Sequence, residues 1–294
     1  MSVFVQLLIN GIIAGSIYAL IASGFSLIYS VAKFMHFAHG AVVTVSAFFL
    51  FFLASMLKLP FALSAVLTVI FAALLGLLTN LLCYKPLRQR KATNAVLLIA
   101  SLALTIFFQS LMIALFGADI KTVRHGQISV GINVLGGIIT KLQIIIVIVS
   151  IVLLVLLWFF MKKTRLGKAM RAVADNKEVA QTVGINPEKI YNYTFIIGSA
   201  VAGIAAILIA LEQNIEPNMG FSLIIKGFTG SIIGGISSVP GSIFGSYLLG
   251  LVENFGIWYL PSGYKDAIAF FLLFIFLLFR PQGILGIKRG VATK

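Results

Sequence analysis

Long apolar runs determine what this chain can fold into. Six of them are long enough to cross about 30 Å of hydrocarbon, and three weaker ones follow. Composition agrees, because the 294-residue chain is 60% hydrophobic and 10% charged, whereas soluble domains carry about 25% charged residues. We therefore predict an all-α integral membrane protein, a polytopic helix bundle that forms one domain over residues 1–294. The runs cover residues 5–30, 37–57, 61–83, 94–116, 142–161 and 190–211, then 220–236, 241–260 and 266–280.

Basic residues in the short loops indicate how the chain crosses the membrane. Loop 84–93 carries four Lys or Arg and loop 162–189 carries seven, whereas loop 212–219 carries none and two Glu. Because cytoplasmic loops are enriched in Lys and Arg, the first two belong in the cytoplasm and the third outside. About nine crossings then satisfy every loop, with the N-terminus outside and the C-terminus in the cytoplasm. Eight is the fallback if 220–236, which is rich in Gly and Ser, is a broken or re-entrant helix.

The net charge of +14 raises the question of a nucleic-acid partner. The basic residues lie in short clusters between apolar runs and not on one face, which favours anionic lipid headgroups. We therefore expect membrane lipid, and no nucleic acid, as a partner.

Residues 162–190, here called the polar segment, form the only long polar helical stretch between two apolar runs. Read as one helix, 171–183 has a stripe of small residues on one face and polar residues around it, and Gly184 ends it. Such a stripe cannot cross a membrane, so we predict a cytoplasmic helix that offers a small surface to another protein; a solvated loop is the alternative. The stripe is Ala172, Val179, Ala180 and Val183, and the polar face is Arg171, Asp175, Glu178 and Gln181.

Polar side chains inside the apolar runs are the candidates for a transport path, because such groups are costly in hydrocarbon unless they are paired or face a cavity. Asn10 lies on a small, polar face of the first run, for which close helix packing is the alternative. The stretch KFMHFAHG interrupts the apolar run, and its two histidines, His36 and His39, are either helix caps or cavity groups. Glu253 is the only acid well inside a run, with a structural partner or a translocation role both open. Gln109 forms either an interhelical hydrogen bond or a substrate contact.

Motifs for catalysis are absent from the sequence. The three histidines, His36, His39 and His125, have no carboxylate or second cysteine at metal-ligand spacing. No GxxxxGK[ST] phosphate loop occurs. We therefore expect no metal site, no bound cofactor and no ATP hydrolysis in this chain.

Three stretches carry a family resemblance. They are NGIIAGSIYALIASGFSLIYSVAKFMHFAHGA near the start, RAVADNKEVAQTVGIN in the polar segment, and GGISSVPGSIFGSYLLGLVE with SGYKDAIAF and FRPQGILG near the end. Together they resemble the permeases of bacterial ABC importers for branched-chain amino acids, specifically the LivH-type subunit. His36 departs from the family, which usually has Asn there. An imidazole donates and accepts hydrogen bonds as an amide does, and it can also become charged near neutral pH.

The resemblance implies an importer subunit in the bacterial inner membrane, with ATP and Mg held by other subunits. The implied partners are a second LivH- or LivM-type permease in a heterodimer, two cytoplasmic ATPase subunits and an extracytoplasmic substrate-binding protein. The implied ATPase-coupling residues are Arg171, Ala172, Asp175, Asn176, Glu178, Ala180 and Gly184. For the translocation path we expect Asn10, Ser26, His36, His39, Gln109 and Glu253.

Three other functions remain open at this point. The first is import of urea or short amides by the same kind of permease. The second is a membrane enzyme acting on lipid, with His36 and His39 as acid and base and Glu253 as their partner; such an enzyme would not need the polar segment. The third is a secondary transporter, which usually needs ion-coupling acids in the membrane, where only Glu253 qualifies.

Overall fold

A computed structural model describes residues 2–123, 131–134 and 136–286. The apolar runs form helices, because backbone groups in hydrocarbon must satisfy their hydrogen bonds within the segment. The helices are α1 Ser2–Ala32, α2 Ala38–Phe51, α3 Phe61–Thr79, α4 Lys85–Gln89, α5 Asn94–Phe116, α6 Lys141–Lys163, α7 Arg165–Asp175, α8 Lys177–Thr182, α9 Pro187–Glu212, α10 Met219–Gly234, α11 Val239–Gly256 and α12 Lys265–Phe279. π-helical turns extend α2 to Met56 and join α3 to α4, and a 3-10 turn precedes α12.

Two short antiparallel strands, β1 Ile132–Val134 and β2 Gly137–Ile139, lie in the connection between α5 and α6. The amide of Ile138 donates to the side chain of Gln6, which donates in turn to the Ile138 carbonyl. The strands are therefore attached to the start of α1. Outside the described residues lie His125 and two basic residues near the C-terminus, Lys288 and Arg289.

Helix α1 forms the centre of the bundle and packs against α9, α10 and α11. Its residues Leu20, Ile21 and Phe25 are fully buried. Helices α3, α5, α6 and α12 lie at the periphery and expose many large apolar side chains, as expected of surfaces that face lipid or another membrane subunit. The fold is therefore a helix bundle with a buried first helix.

Helices α10 and α11 form a bent hairpin, with an angle of 113° across the break between them. Gly230 packs against Ser246 and Gly234 against Gly241, so the two backbones touch, as is common where small residues meet in membrane helices. The amides of Ile284 and Leu285 donate to carbonyls at the end of α10 at 2.9 Å. The chain that follows α12 therefore returns to the tip of this hairpin.

The described helices that are long and apolar enough to cross a membrane are fewer than the nine crossings predicted from the sequence. Within the described residues, seven helices are long and apolar enough to cross a membrane, and the hairpin counts at most as an eighth. The predicted fallback of eight lies within this count by length and composition. Nine would treat both hairpin helices as full spans, and α10 has 16 residues, or about 24 Å, which is shorter than the hydrocarbon core. The predicted broken helix in this region is confirmed.

Contacts divide the bundle into two ends. At one, here called the basic end, loop 84–93 and the polar segment meet through an ion pair, and the hairpin tip 235–238 lies beside them. At the opposite end, Lys121 and Ile215 exchange backbone hydrogen bonds of 3.0 and 2.8 Å. The two basic loops therefore share one end, which is the arrangement that the charge pattern predicts. That this end faces the cytoplasm stays a prediction.

Replacing Gly234 by Ala is expected to destabilise the hairpin, because the new Cβ would overlap the carbonyl oxygen of Gly241. Overpacking of this kind costs about 1–3 kcal/mol. We expect a lower unfolding midpoint for the chain in detergent. Gly263→Ala is the control, since nothing lies within 4 Å of a Cβ placed there. The close hairpin would be contradicted if both variants unfolded at the wild-type midpoint.

Candidate functional site

The polar segment forms two helices, α7 and α8, and the single helix predicted over 171–183 is wrong. The chain breaks at Asn176, whose φ of −146° and ψ of 110° are extended. Its side-chain oxygen accepts hydrogen bonds from the amides of Glu178 and Val179 at 2.9 and 3.1 Å. An Asn side chain that caps amides in this way competes with continuation of the preceding helix and starts a new one.

Helix α7 is the anchored half of the polar segment. Met170 and Val173 are buried in an apolar cluster with residues of α1, α6 and α9. Gly167 allows α7 to approach the end of α6, since a Cβ there would overlap the Phe160 carbonyl oxygen and lie 2.7 Å from the Met161 Cα. Helix α7 is therefore fixed to the bundle on its apolar side, while Arg171 and Asp175 are exposed.

Helix α8 is the exposed half. Ala180 is buried against the rest of the chain, whereas Val179 and Val183 are 58% and 69% exposed. Glu178 is exposed in the first turn, and Gly184, with a φ of +84°, lies just after the end of α8. The predicted small-residue stripe is thus divided between an inner and an outer face. An exposed apolar pair on a polar helix is typical of a surface that another protein covers.

Arg88 connects the polar segment to the bundle. Its guanidinium contacts the Glu188 carboxylate at 3.1 and 3.4 Å, donates to Asn80 Oδ1 at 2.9 Å and lies 4.5 Å from the centre of the Tyr191 ring. Glu188 belongs to the first turn of α9. The interaction therefore joins α4 to α9 where the polar segment ends. Sequence reasoning missed this pair, because nothing in either loop signals a partner 100 residues away.

A double-mutant cycle of Arg88→Met and Glu188→Gln is expected to give an interaction free energy of about 1 kcal/mol, because solvent partly screens the Glu188 carboxylate. The side chain of Glu188 is 35% exposed and that of Arg88 is 11% exposed. The measurement is the free energy of unfolding of the four proteins in detergent. The pair Lys121 and Asp119, 3.8 Å apart with an exposed carboxylate, is the control and should show no coupling. An Arg88–Glu188 coupling no larger than the control would contradict the anchoring role.

Three of the predicted path residues are buried in the half of the bundle nearer the basic end. Ser26 Oγ donates to the Ile236 carbonyl at 2.9 Å, across to the hairpin tip. His36 Nδ1 lies 2.8 Å from the Tyr84 hydroxyl, and His39 is fully buried. Within the described residues, no three potential ligands cluster as a metal site would require.

The other three lie nearer the opposite end, and the side chain of each has a hydrogen-bond partner. Asn10 accepts a hydrogen bond from Gln6 at 3.0 Å, and Gln109 donates to Asn218 before α10. Buried polar groups need partners of this kind. The six residues are therefore spread over both ends of the bundle, and among them His36 and His39 are neighbours, with ring centroids 6.0 Å apart.

Glu253 is the buried member of a charge cluster, here called the Lys226 cluster, that links α1, α10, α11 and α12 and extends to the exposed Asp266. Tyr18 donates its hydroxyl to Glu253 Oε2 at 2.8 Å. Lys226 Nζ lies 3.5 Å from Glu253 Oε2 and 3.0 Å from Asp266 Oδ1. Two roles were left open for Glu253, and this geometry supports the one in which it pairs with a structural partner.

A cavity of about 930 Å³ opens at the basic end, between the ends of α1 and α6, helix α7, the hairpin tip and the chain after α12. Two of the predicted coupling residues, Arg171 and Asp175, line it. None of the six predicted path residues is among its lining residues. The space next to the polar segment is therefore distinct from the positions of those six side chains.

Several known proteins are similar to this chain over nearly its whole length. Residues 7–277 match the family described as the branched-chain amino acid transport system permease component. The permease protein BraD of the high-affinity branched-chain amino acid transport system of Pseudomonas aeruginosa is 35% identical over 96% of each chain, and LivH of Escherichia coli is 33% identical over 96% of each. PsaBC from Streptococcus pneumoniae, solved in complex with Fab, has a TM-score of 0.51 at 15% identity, covering 95% of this chain and 92% of that one; it supports the fold alone.

Proposed function

Because this chain belongs to the branched-chain amino acid transport system permease family, we propose that it is the membrane permease of a binding-protein-dependent ABC importer. It carries branched-chain aliphatic amino acids into the cytoplasm, and ATP hydrolysis on partner subunits drives the transport. The observation that carries this proposal is the relationship over 96% of the chain to permeases named for that transport. The same relationship favours amino acids over urea or short amides, and a transport subunit over an enzyme.

In this proposal the polar segment is the contact with an ATPase subunit. Val179 and Val183 would enter a groove on the ATPase, with Arg171 and Glu178 at the rim. Asn176 and Gly184 set the direction in which α8 points. Closure of the ATPase subunits would move α8 as a rigid element, and the buried side of α7 together with Arg88 would transmit that movement to the long helices. ATP and Mg belong to the partners.

The remaining partners are a second permease and a substrate-binding protein. The exposed apolar faces of α3, α5 and α12 suit either lipid or a second permease of similar kind. The opposite end, with β1 and β2, would face outward and receive the binding protein. In this proposal the N-terminus lies outside and the C-terminus lies in the cytoplasm of a bacterial cell, as the charge of the loops favours.

Uptake of radiolabelled leucine, isoleucine and valine, with urea as the competing substrate, tests the proposal in cells that carry this chain with its genomic neighbours. We expect saturable, ATP-dependent amino acid uptake that falls about tenfold when Arg171 and Glu178 are both changed to Ala, since rim charges of an interface contribute modestly. Lys168→Ala removes another exposed cation of α7 and is the control. Uptake of urea in place of amino acids would show that the permease carries the alternative substrate, and uptake of neither would contradict the permease proposal.

A further inference from the structure

The cavity at the basic end is lined by more positive than negative charge. Lys33 comes from the chain after α1, Lys162 from the last turn of α6 and Arg171 from α7, while Asp175 is the one acid among the lining residues. These three cations belong to different elements, and folding brings them to one space. A cavity of about 930 Å³ is large enough for more than a simple anion.

An apolar stripe on α6 leads to this cavity. Ile148, Ile151, Val155 and Trp158 recur at spacings of three and four residues, which places them on one face of the helix. All four are between 43% and 57% exposed. Trp158 lines the cavity, and Lys162, one turn further on, has its Nζ 4.8 Å from the centre of the Trp158 ring. The stripe therefore passes from apolar side chains to an aromatic ring and then to a cation, the order found at a membrane–water interface.

We propose that the cavity binds the phosphate headgroup of an anionic phospholipid whose acyl chain lies along the α6 stripe. Basic pockets between membrane helices bind anionic headgroups, and an Arg guanidinium matches the geometry of a phosphate. Free phosphate shares the headgroup's chemistry but makes no use of Ile151, Val155 or Trp158. The bound lipid would touch α6, α7 and the hairpin tip together, and so connects the polar segment to the surrounding bilayer independently of which substrate is transported.

Tryptophan fluorescence offers a direct test, because the chain has two tryptophans and Trp258 lies in the connection between α11 and α12. A full-length Trp258→Phe protein in phosphatidylcholine vesicles reports on Trp158 alone. Phosphatidylglycerol or phosphatidylethanolamine with brominated acyl chains is then titrated as quencher. We expect phosphatidylglycerol to reach half-maximal quenching at a mole fraction at least fivefold lower than phosphatidylethanolamine does. The reason is that each basic residue near an anionic lipid contributes about fivefold in affinity.

Charge variants identify the site. Lys162→Gln with Arg171→Gln should abolish the preference for phosphatidylglycerol. Lys163→Gln with Lys168→Gln removes two exposed cations from the same helices but none from the cavity lining, and should keep the preference. Circular dichroism of each variant verifies that it is folded.

Several results would overturn the proposal. Equal quenching by the two brominated lipids would show that no headgroup is selected. A preference that survives Lys162→Gln with Arg171→Gln would place the selection elsewhere. Reversal of quenching by millimolar inorganic phosphate would make the occupant a free anion, and a Trp158 that no brominated lipid quenches would mean that protein covers the stripe.

Discussion

Replacing Val179 by Asp is expected to reduce amino acid uptake about 100-fold while the chain stays folded in the membrane. Val179 is 58% exposed on α8, so the substitution buries nothing new within this chain. In the proposed complex the side chain is covered by an ATPase subunit, and the few central residues that dominate an interface cost about 2 kcal/mol or more when they are lost. A carboxylate there would also lack a partner. The measurements are uptake in cells and the amount of ATPase subunit that co-purifies with the chain.

Val134→Asp is the control for this substitution, because Val134 is an exposed valine of β1 at the opposite end of the bundle. It should leave co-purification of the ATPase unchanged. Val179→Leu keeps an apolar surface and should keep most of the uptake. Wild-type uptake and co-purification in Val179→Asp would contradict the role of α8.

Replacing Lys226 by Met is expected to destabilise the chain by about 3 kcal/mol, which is the usual cost of leaving a buried charge without its partner. Glu253 is fully buried and has Lys226 as its nearby cation, at 3.5 Å. Without Lys226 the carboxylate keeps only the hydroxyl of Tyr18 as hydrogen-bond donor. The measurement is the free energy of unfolding in detergent.

The double variant Lys226→Met with Glu253→Gln removes both charges and should recover most of the lost stability. Lys121→Met is the control: its Nζ lies 3.8 Å from Asp119 Oδ2, and the Asp119 side chain is 89% exposed, so that carboxylate stays solvated without its partner. A double variant less stable than Lys226→Met alone would show that the two charges do not compensate each other in the bundle.

The apolar runs predict most of the long helices closely, because hydrophobic length and helix length are the same constraint in a bilayer. The run at 94–116 coincides with α5, and the run at 142–161 lies within two residues of α6 at each end. The remaining differences at the ends come from caps. Thr140 and Asn186, for example, accept hydrogen bonds from the first amides of α6 and α9 and start these helices before the apolar residues begin.

The break at Asn176 is predictable from the sequence, but the spacing of the small residues around it conceals it. Ala172, Val179 and Ala180 happen to keep helical spacing across the break, so periodicity alone favours one helix. The capping signal, an Asn followed two residues later by an acid in DNKE, is the stronger local indicator of a helix start. The hairpin angle and the Arg88–Glu188 pair are different in kind, because they arise from contacts between distant segments.

The predicted path residues show the limit of polarity as a signal. A polar group inside a bundle must find a partner, and Ser26, His36 and Glu253 each find one within this chain. Their presence in apolar runs therefore indicates interhelical hydrogen bonding as readily as a path. Conversely, Lys33 and Lys162, which are not among the predicted path residues, converge on the cavity.

The most direct test of the account is a cross-link between α8 and an ATPase subunit. The chain has a single cysteine, Cys83, so Cys83→Ala with Val179→Cys leaves this chain with one thiol, on α8. A short bifunctional reagent that joins this thiol to a lysine should produce a species with the combined mass of the chain and one ATPase subunit, and Val134→Cys should not. A cross-link from Val134→Cys but none from Val179→Cys would contradict the account, because the opposite end of the bundle would then face the ATPase.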